Sequence, residues 1–365
     1  MHILGMTCLR DDGPYIVEWL AHHLMLGFDR MLVCSHDCTD GSAELLEALA
    51  QDPRIVHLDF APKGGKSVQW QALRQLRDSE SYKNADWALF FDCDEFLCGR
   101  FNNLRELLAD YEKQAGTFDA LALPWRLFGY GGHKQRSAGL TPERFTRAAP
   151  FDLHFPLAHL FKTLHRPAAF RQPGVHRPRA RQRHVPSWIG PDGKRLTEGF
   201  AANDSAISLY GAVNGPPVAW LNHYSLRSVE EFMLKRARGL PNHMDREIGI
   251  AYWAERNWNT VDAPEILPMM SHTRQEFERL MALPGVAAAH AACLSAHTSR
   301  YQALMLDIDA ARLAFRVGFL TDSTPPSTEE GRAFYERART ILNEIEEAEE
   351  VVTQLYAAPR GTLRI

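Results

Sequence analysis

Over its first 125 residues this chain switches repeatedly between short apolar runs and stretches with helical spacing, and that alternation narrows the folds open to it. Ile3 to Thr7 reads as a short buried strand. Pro14 to Leu26 reads as a helix with proline in its first turn, where a missing N–H costs nothing. Met31 to Ser35 is strand-like again, and Thr39-Asp40-Gly41-Ser42 opens a helical stretch from Ala43 to Ala50. Ile55 to Phe60 is a third strand, a helix comes next from about Ser67 to Asp78, and Trp87 to Phe91 is a fourth strand bounded by Asp86 and Asp92. Such alternation predicts crossover units and an α/β fold with a doubly wound, mostly parallel sheet and flanking helices. Ligands of these sheets sit beyond the carboxyl ends of the strands. The polar residues Thr7 to Asp12, Ser35 to Asp40 and Asp92 to Glu95 all fall at those ends.

The remainder divides by pattern. Ala120 to Trp125 is one more strand, and residues 126–217 turn irregular, rich in Gly, Pro, Arg and His. A loop-rich stretch of that length usually carries function. A strand returns at Val218 to Tyr224, with a helix from Ser228 to Arg238. Leu294, Tyr301, Leu304, Ile308, Ala311 and Phe315, and then Phe334, Ala338, Ile341, Ile345, Ala348, Val352 and Leu355, keep a three-four spacing on either side of a break at Thr321 to Pro326. With Ser327-Thr328-Glu329-Glu330 as a capping box, this predicts a C-terminal α-helical hairpin, packed on its own domain or on a second subunit. The expected organisation is therefore 1–260 as a catalytic domain, in halves 1–125 and 126–260, and 261–365 as a helical extension.

Net charge −4 excludes a chain held to nucleic acid by its overall charge. Six cysteines without a CxxC pair read as buried small hydrophobes of a reducing compartment. Cys34, His36 and Cys38 lack the second ligand pair of a structural zinc site. The N-terminus does not read as a signal peptide, and no run approaches the roughly 20 apolar residues of a spanning helix. A cytoplasmic protein is expected, with any contact at the inner face of the membrane peripheral.

The sharpest chemical signal is Phe90-Phe91-Asp92-Cys93-Asp94-Glu95-Phe96-Leu97. On an extended chain the carboxylates of Asp92 and Asp94 would point the same way and bind a hard divalent cation, with a diphosphate adding oxygens. The competing reading is a pair of solvated acids capping the next helix.

These acids come last in an ordered series: Thr7-Cys8-Leu9-Arg10-Asp11-Asp12-Gly13-Pro14-Tyr15, Glu18-Trp19, His22-His23, Leu26-Gly27-Phe28-Asp29, and Asp37-Cys38-Thr39-Asp40-Gly41-Ser42. The series resembles family 2-type glycosyltransferases, closest to the branch related to family 92. The likeness continues through Trp125 to Gly129, Glu143-Arg144-Phe145, Phe161-Lys162 and Leu221 to Ser225, to Lys235 through Gly239, and so covers roughly residues 1–260. It implies a GT-A fold whose DxD acids hold a metal and the diphosphate of a nucleotide-sugar. Carried over, Asp92 and Asp94 with His223 hold the cation, expected to be manganese with magnesium as the alternative. Thr7 and Arg10 line the base and ribose, and Asp37 faces the base. Asp11-Asp12 stands where the family more often has Asn-Glu. Lys66 and Gln69 reach the nucleotide or the donor sugar, and Lys235 and Arg236, with Arg238, the diphosphate.

An inverting transfer needs a carboxylate to take the acceptor's proton, for which Glu143 is the first candidate and Asp152 the second. Arg166, Arg171, Arg177, Arg179, Arg181 and Arg183, with His176 and His184, form a basic stretch that suits an anionic acceptor or a solvated loop equally. Lys63-Gly64-Gly65-Lys66-Ser67 is not a phosphate loop, since Phe60 stands where its first glycine belongs. The expected reaction moves a sugar from a nucleotide-sugar, by family expectation a UDP-sugar, to a hydroxyl of a glycan or glycoconjugate. Its rivals are a sugar-phosphate nucleotidyltransferase and a non-catalytic carbohydrate-binding scaffold. A homo-oligomer would form through the C-terminal helices.

Overall fold

The computed structural model describes residues 1–64, 67–213, 215–239, 248–320 and 322–324. Nine strands build the main sheet: β1 Ile3–Leu9, β2 Arg30–Ser35, β3 Ile55–Asp59, β4 Trp87–Phe90, β5 Glu95–Gly99, β6 Ala120–Leu127, β7 Phe161–His165, β8 Trp188–Ile189 and β9 Ala219–His223. The strand order is β3-β2-β1-β4-β7-β6-β9-β5, with β8 also on β6. β7 and β5 run antiparallel to their neighbours and the other pairings are parallel. β1, β4 and β9 are buried along their whole length, so they carry continuous apolar runs rather than alternation.

The longer helices are α1 Gly13–Met25, α2 Ser42–Leu49, α3 Val68–Asp78, α4 Leu104–Ala115, α5 Val229–Arg238, α6 Ile250–Arg256, α7 Met270–Met281, α8 Val286–Leu304 and α9 Ile308–Val317. The mixed α/β architecture and the first four strands match the expected pattern. The irregular stretch differs in containing β7 and β8, short strands whose pairing partners lie far away in sequence. Asp92-Cys93-Asp94 leads directly into a strand, β5, so these acids cap no helix.

α7 and α8 share the core of the N-terminal half: Met270, Leu280, Val286 and Cys293 belong to the same buried cluster as Trp19, Phe91 and Leu221. α8 docks through Val286, His290, Cys293 and His297, while Leu294, on the expected stripe, is only half-buried. Small and polar residues make that contact because the backbones come close. A Cβ on Gly13 would collide with the Cys293 sulfur. The expected first helix of the hairpin breaks at Asp307, whose side chain accepts a hydrogen bond from the Ala310 amide and caps α9. The second helix, Phe334 to Leu355, lies outside the described residues. No single helix among those described is long and apolar enough to cross a membrane.

Candidate active site

β4 is fully buried, and the chain turns as soon as it leaves it. The Glu95 amide donates to the Asp92 carbonyl at 2.9 Å, and the Asp92 amide donates to Glu95 Oε2 at 3.0 Å. Asp92-Cys93-Asp94 is thus a tight turn rather than extended chain, and its carboxylates diverge. Asp92 accepts from Lys162 Nζ at 3.0 Å and from Gln69 Nε2 at 3.2 Å. Asp94 accepts from Lys235 Nζ at 2.8 Å.

β5 leaves this turn and pairs antiparallel with β9, setting Glu95 directly opposite His223. Directly opposed residues share a sheet face, so Asp94, Glu95 and His223 converge, with ligand atoms within 4.8 Å of one another. Of the expected trio, Asp94 and His223 belong to this cluster together with Glu95, and Asp92 sits beside it, bound to Lys162. His223 Nδ1 and Glu95 Oε1 are buried without a hydrogen-bond partner, although Lys162 Nζ lies 3.6 Å from Glu95 Oε1. Buried polar atoms are seldom left so. Two carboxylates and a neutral imidazole form a donor set that suits a divalent cation of the manganese type. The His223 and Trp125 ring centroids are 4.3 Å apart, which places an aromatic face at the edge of the cluster.

The electrostatics separate these groups. Burial pushes the Asp94 carboxyl up, but the Lys235 ammonium, with Arg227 behind it, holds it well below the usual carboxylate range. Burial pushes His223 down to about 3, so its imidazole is neutral and contributes little charge to Asp94. Burial raises Glu95 well above its ordinary value, against the pull of Lys162. Lys162 is fully buried, yet the carboxyls of Asp92 and Glu95 keep it charged. The acids of this centre therefore rest against two lysines.

The other expected residues fall around this centre. Thr7 lies in β1 with its hydroxyl buried and unpartnered. Arg10 and Arg238 each donate to the other's backbone carbonyl, and Arg238 Nη1 lies 2.5 Å from Asp12, which closes the β1–α1 loop onto α5. Asp37 follows β2 with φ 47° and an exposed carboxylate. Arg236 stands on α5 between Lys235 and Arg238. Lys66 lies outside the described residues. Glu143 accepts from the Leu140 amide at 3.0 Å and from Arg274 at 2.6 Å, so it caps a helical turn and ties it to α7. Asp152 is exposed in the turn after Arg147–Ala148.

Part of the basic stretch is structural. Arg166 pairs with Glu112 at 2.5 Å, and Arg177 lies 4.0 Å above the Trp188 ring and donates to the Phe200 carbonyl at 2.8 Å. Glu95 and Lys162 received no role from sequence reasoning. The available signal was a lone lysine inside the apolar run Leu160-Phe161-Lys162-Thr163-Leu164.

Strand order and acid placement give the class, a GT-A-type α/β fold with an acidic centre beyond its fourth strand. A model of glycosyltransferase family 92 matches residues 10–189. That stretch, just under half of the chain, is similar to glycosyltransferase family 92, and the chain is a glycosyltransferase. No curated protein matches the sequence. Among solved structures it is similar to TarS 1–349 from S. aureus, at 15% identity over 83% of this chain and 91% of that one, with a TM-score of 0.32. A mannosyltransferase from Pyrobaculum calidifontis in complex with GDP-Man and Mn2+ is similar at 14% identity over 95% of this chain and 87% of that one, with a TM-score of 0.35. A putative glucose-1-phosphate thymidylyltransferase from Bacillus anthracis aligns at 10% identity over 46% of this chain and 73% of that one, with a TM-score of 0.29. Likenesses this distant lend no argument about the site, and the assignment rests on the family match.

Proposed function

We propose that this glycosyltransferase transfers a sugar from a nucleotide-sugar, a UDP-sugar by expectation, to a hydroxyl of a glycan or glycoconjugate, with inversion and with a divalent cation at the acidic centre. The observation that carries this reading is the convergence of Asp94, Glu95 and His223 on facing strand ends, with buried donor atoms left unpartnered. Asp94, Glu95 and His223, with Asp92 beside them, would hold the cation, which supplies neutralisation of the charge developing on the departing diphosphate. With a cation on these carboxylates, Lys162 and Lys235 would be free to turn their ammonium groups to the diphosphate oxygens. Thr7, Arg10 and Asp37 take the nucleoside side. Trp125 offers a flat apolar face to a sugar ring. The acceptor proton goes to Asp152 or Glu143, and Glu143 must first release Arg274.

One observation favours a second reading. Lys162 and Lys235 already balance Asp92 and Asp94, so the lysines alone would stabilise the leaving group and a cation would be dispensable. A donor screen scored by nucleoside diphosphate release, with manganese and with a chelator, separates the two. The first reading expects turnover lost to chelation and to Asp94→Ala, and turnover that survives both refutes it.

A cytoplasmic setting, an acceptor that is anionic, peripheral contact with the membrane and pairing through the C-terminal helices belong to the same proposal. Support for a partner comes from α9 and the turn after it, where Ile308, Phe315 and Phe319 face outward at 63%, 68% and 64% exposure.

A further inference from the structure

We infer that α8, which lies beyond the matched residues 10–189, acts as a clamp on the two loops that take the nucleotide, with Arg300 as its positioning residue. This rests on the assignment of the β1–α1 and β2–α2 loops to the donor's nucleoside side.

Three residues of α8 at spacings of four and three, Cys293, His297 and Arg300, stand on one helix face, and each meets the loops. Arg300 Nη1 lies 3.0 Å from Asp11 Oδ2 in the β1–α1 loop, and Arg300 Nη2 donates to the Thr39 hydroxyl in the β2–α2 loop. The Thr39 amide donates to Asp11 Oδ1 at 2.6 Å, which closes a triangle across both loops. Three residues earlier, His297 Nε2 lies 3.5 Å from Asp40 Oδ2, an oxygen that also accepts from the Gly13 amide at 3.0 Å. Cys293 fills the space against Gly13 and Gly41.

The clamp holds positions next to those that matter for the nucleotide. Asp11 adjoins Arg10 and Thr39 is two residues from Asp37, the residues expected on ribose and base. Asp11 and Asp37 both have positive φ, 53° and 47°. Non-glycine residues stay in that region only where surrounding contacts impose it. Arg300 also neutralises Asp11, an acid that would otherwise repel a diphosphate. Arg300 and His297 line a cavity of about 400 Å3 together with Asp12, Arg227, Lys235 and Arg238, so the clamp borders the lysine that holds Asp94.

Arg300→Ala should raise the KM for the donor, and the Kd for its nucleoside diphosphate, about tenfold while kcat falls less than threefold. Arg300→Lys, which keeps the charge beside Asp11, should recover most of that loss. The probes are uridine diphosphate and guanosine diphosphate, titrated calorimetrically with manganese into wild type and both variants, alongside initial rates. A purely structural Arg300 would lower the active fraction and kcat with KM unchanged, and that result overturns the clamp. Equal nucleotide affinity in wild type and Arg300→Ala overturns it as well, while leaving the donor assignment intact. A wild type that binds neither nucleotide overturns the donor assignment, and the clamp with it.

Discussion

Replacing Lys235 by methionine tests the centre most directly, because it keeps the length of the side chain and removes only the charge. Lys235 Nζ donates to Asp94 at 2.8 Å and to the Ser225 carbonyl at 3.0 Å, and both partners of the ion pair are 13% exposed. Breaking such a pair leaves a buried, uncompensated carboxylate, at a cost of about 3–5 kcal/mol. Arg227 continues to face Asp94, so the lower end, about 3 kcal/mol, is expected. For a domain of this size that lowers the melting temperature by roughly 6 °C. Manganese at a hundredfold its Kd contributes about 2.7 kcal/mol to whichever state binds it. In wild type the ion must displace an ammonium, and in Lys235→Met that competitor is gone. Differential scanning fluorimetry with and without manganese should therefore show a larger metal-induced shift in the variant than in wild type. Turnover should fall on the order of a hundredfold through loss of a cation from the leaving group. An equal or smaller manganese shift in Lys235→Met would show that the ion does not engage Asp94, and the metal reading would fail.

Three further outcomes are expected from the same structure. Burial disfavours the charged form of Glu95 and leaves its Oε1 without a hydrogen-bond partner, so the isosteric Glu95→Gln should change apo stability by only about 1 kcal/mol. The same variant should weaken manganese binding at least tenfold by calorimetry, and unaltered affinity would remove Glu95 from the ligand set. Burial pushes both His22 and His165 down to about 4. Each stays neutral in the fold and takes up its proton on unfolding, so stability is full above pH 6.5 and lost as pH falls toward 4. Between pH 7 and 5 each should account for about 2 kcal/mol. Urea titrations of His22→Gln should show a correspondingly flatter dependence, and an unchanged slope contradicts the assignment. Glu143→Gln keeps part of the cap but loses the ion pair with Arg274, so thermal melts should register about 1 kcal/mol. Turnover within threefold of wild type would exclude Glu143 as the acceptor's base, whereas a loss beyond a hundredfold would establish it.

What the sequence determined by itself was local and periodic. Continuous apolar runs at β1, β2, β4 and β9 announced strands buried on both faces. The acids at Asp92 and Asp94, placed where an apolar strand ends, announced the centre. Those signals survive in one dimension because burial of a strand and the end of a strand are properties of consecutive residues. What only the tertiary structure decided was pairing. Glu95 meets His223 because β5 and β9 lie in antiparallel register, 128 residues apart. Lys162 reaches Asp92 because β7 inserts between β4 and β6. α8 arrives over the first two loops because two glycines leave room for its cysteine. Such contacts depend on the order of strands across the sheet and on the closeness of backbones. Neither leaves a periodic trace along the chain.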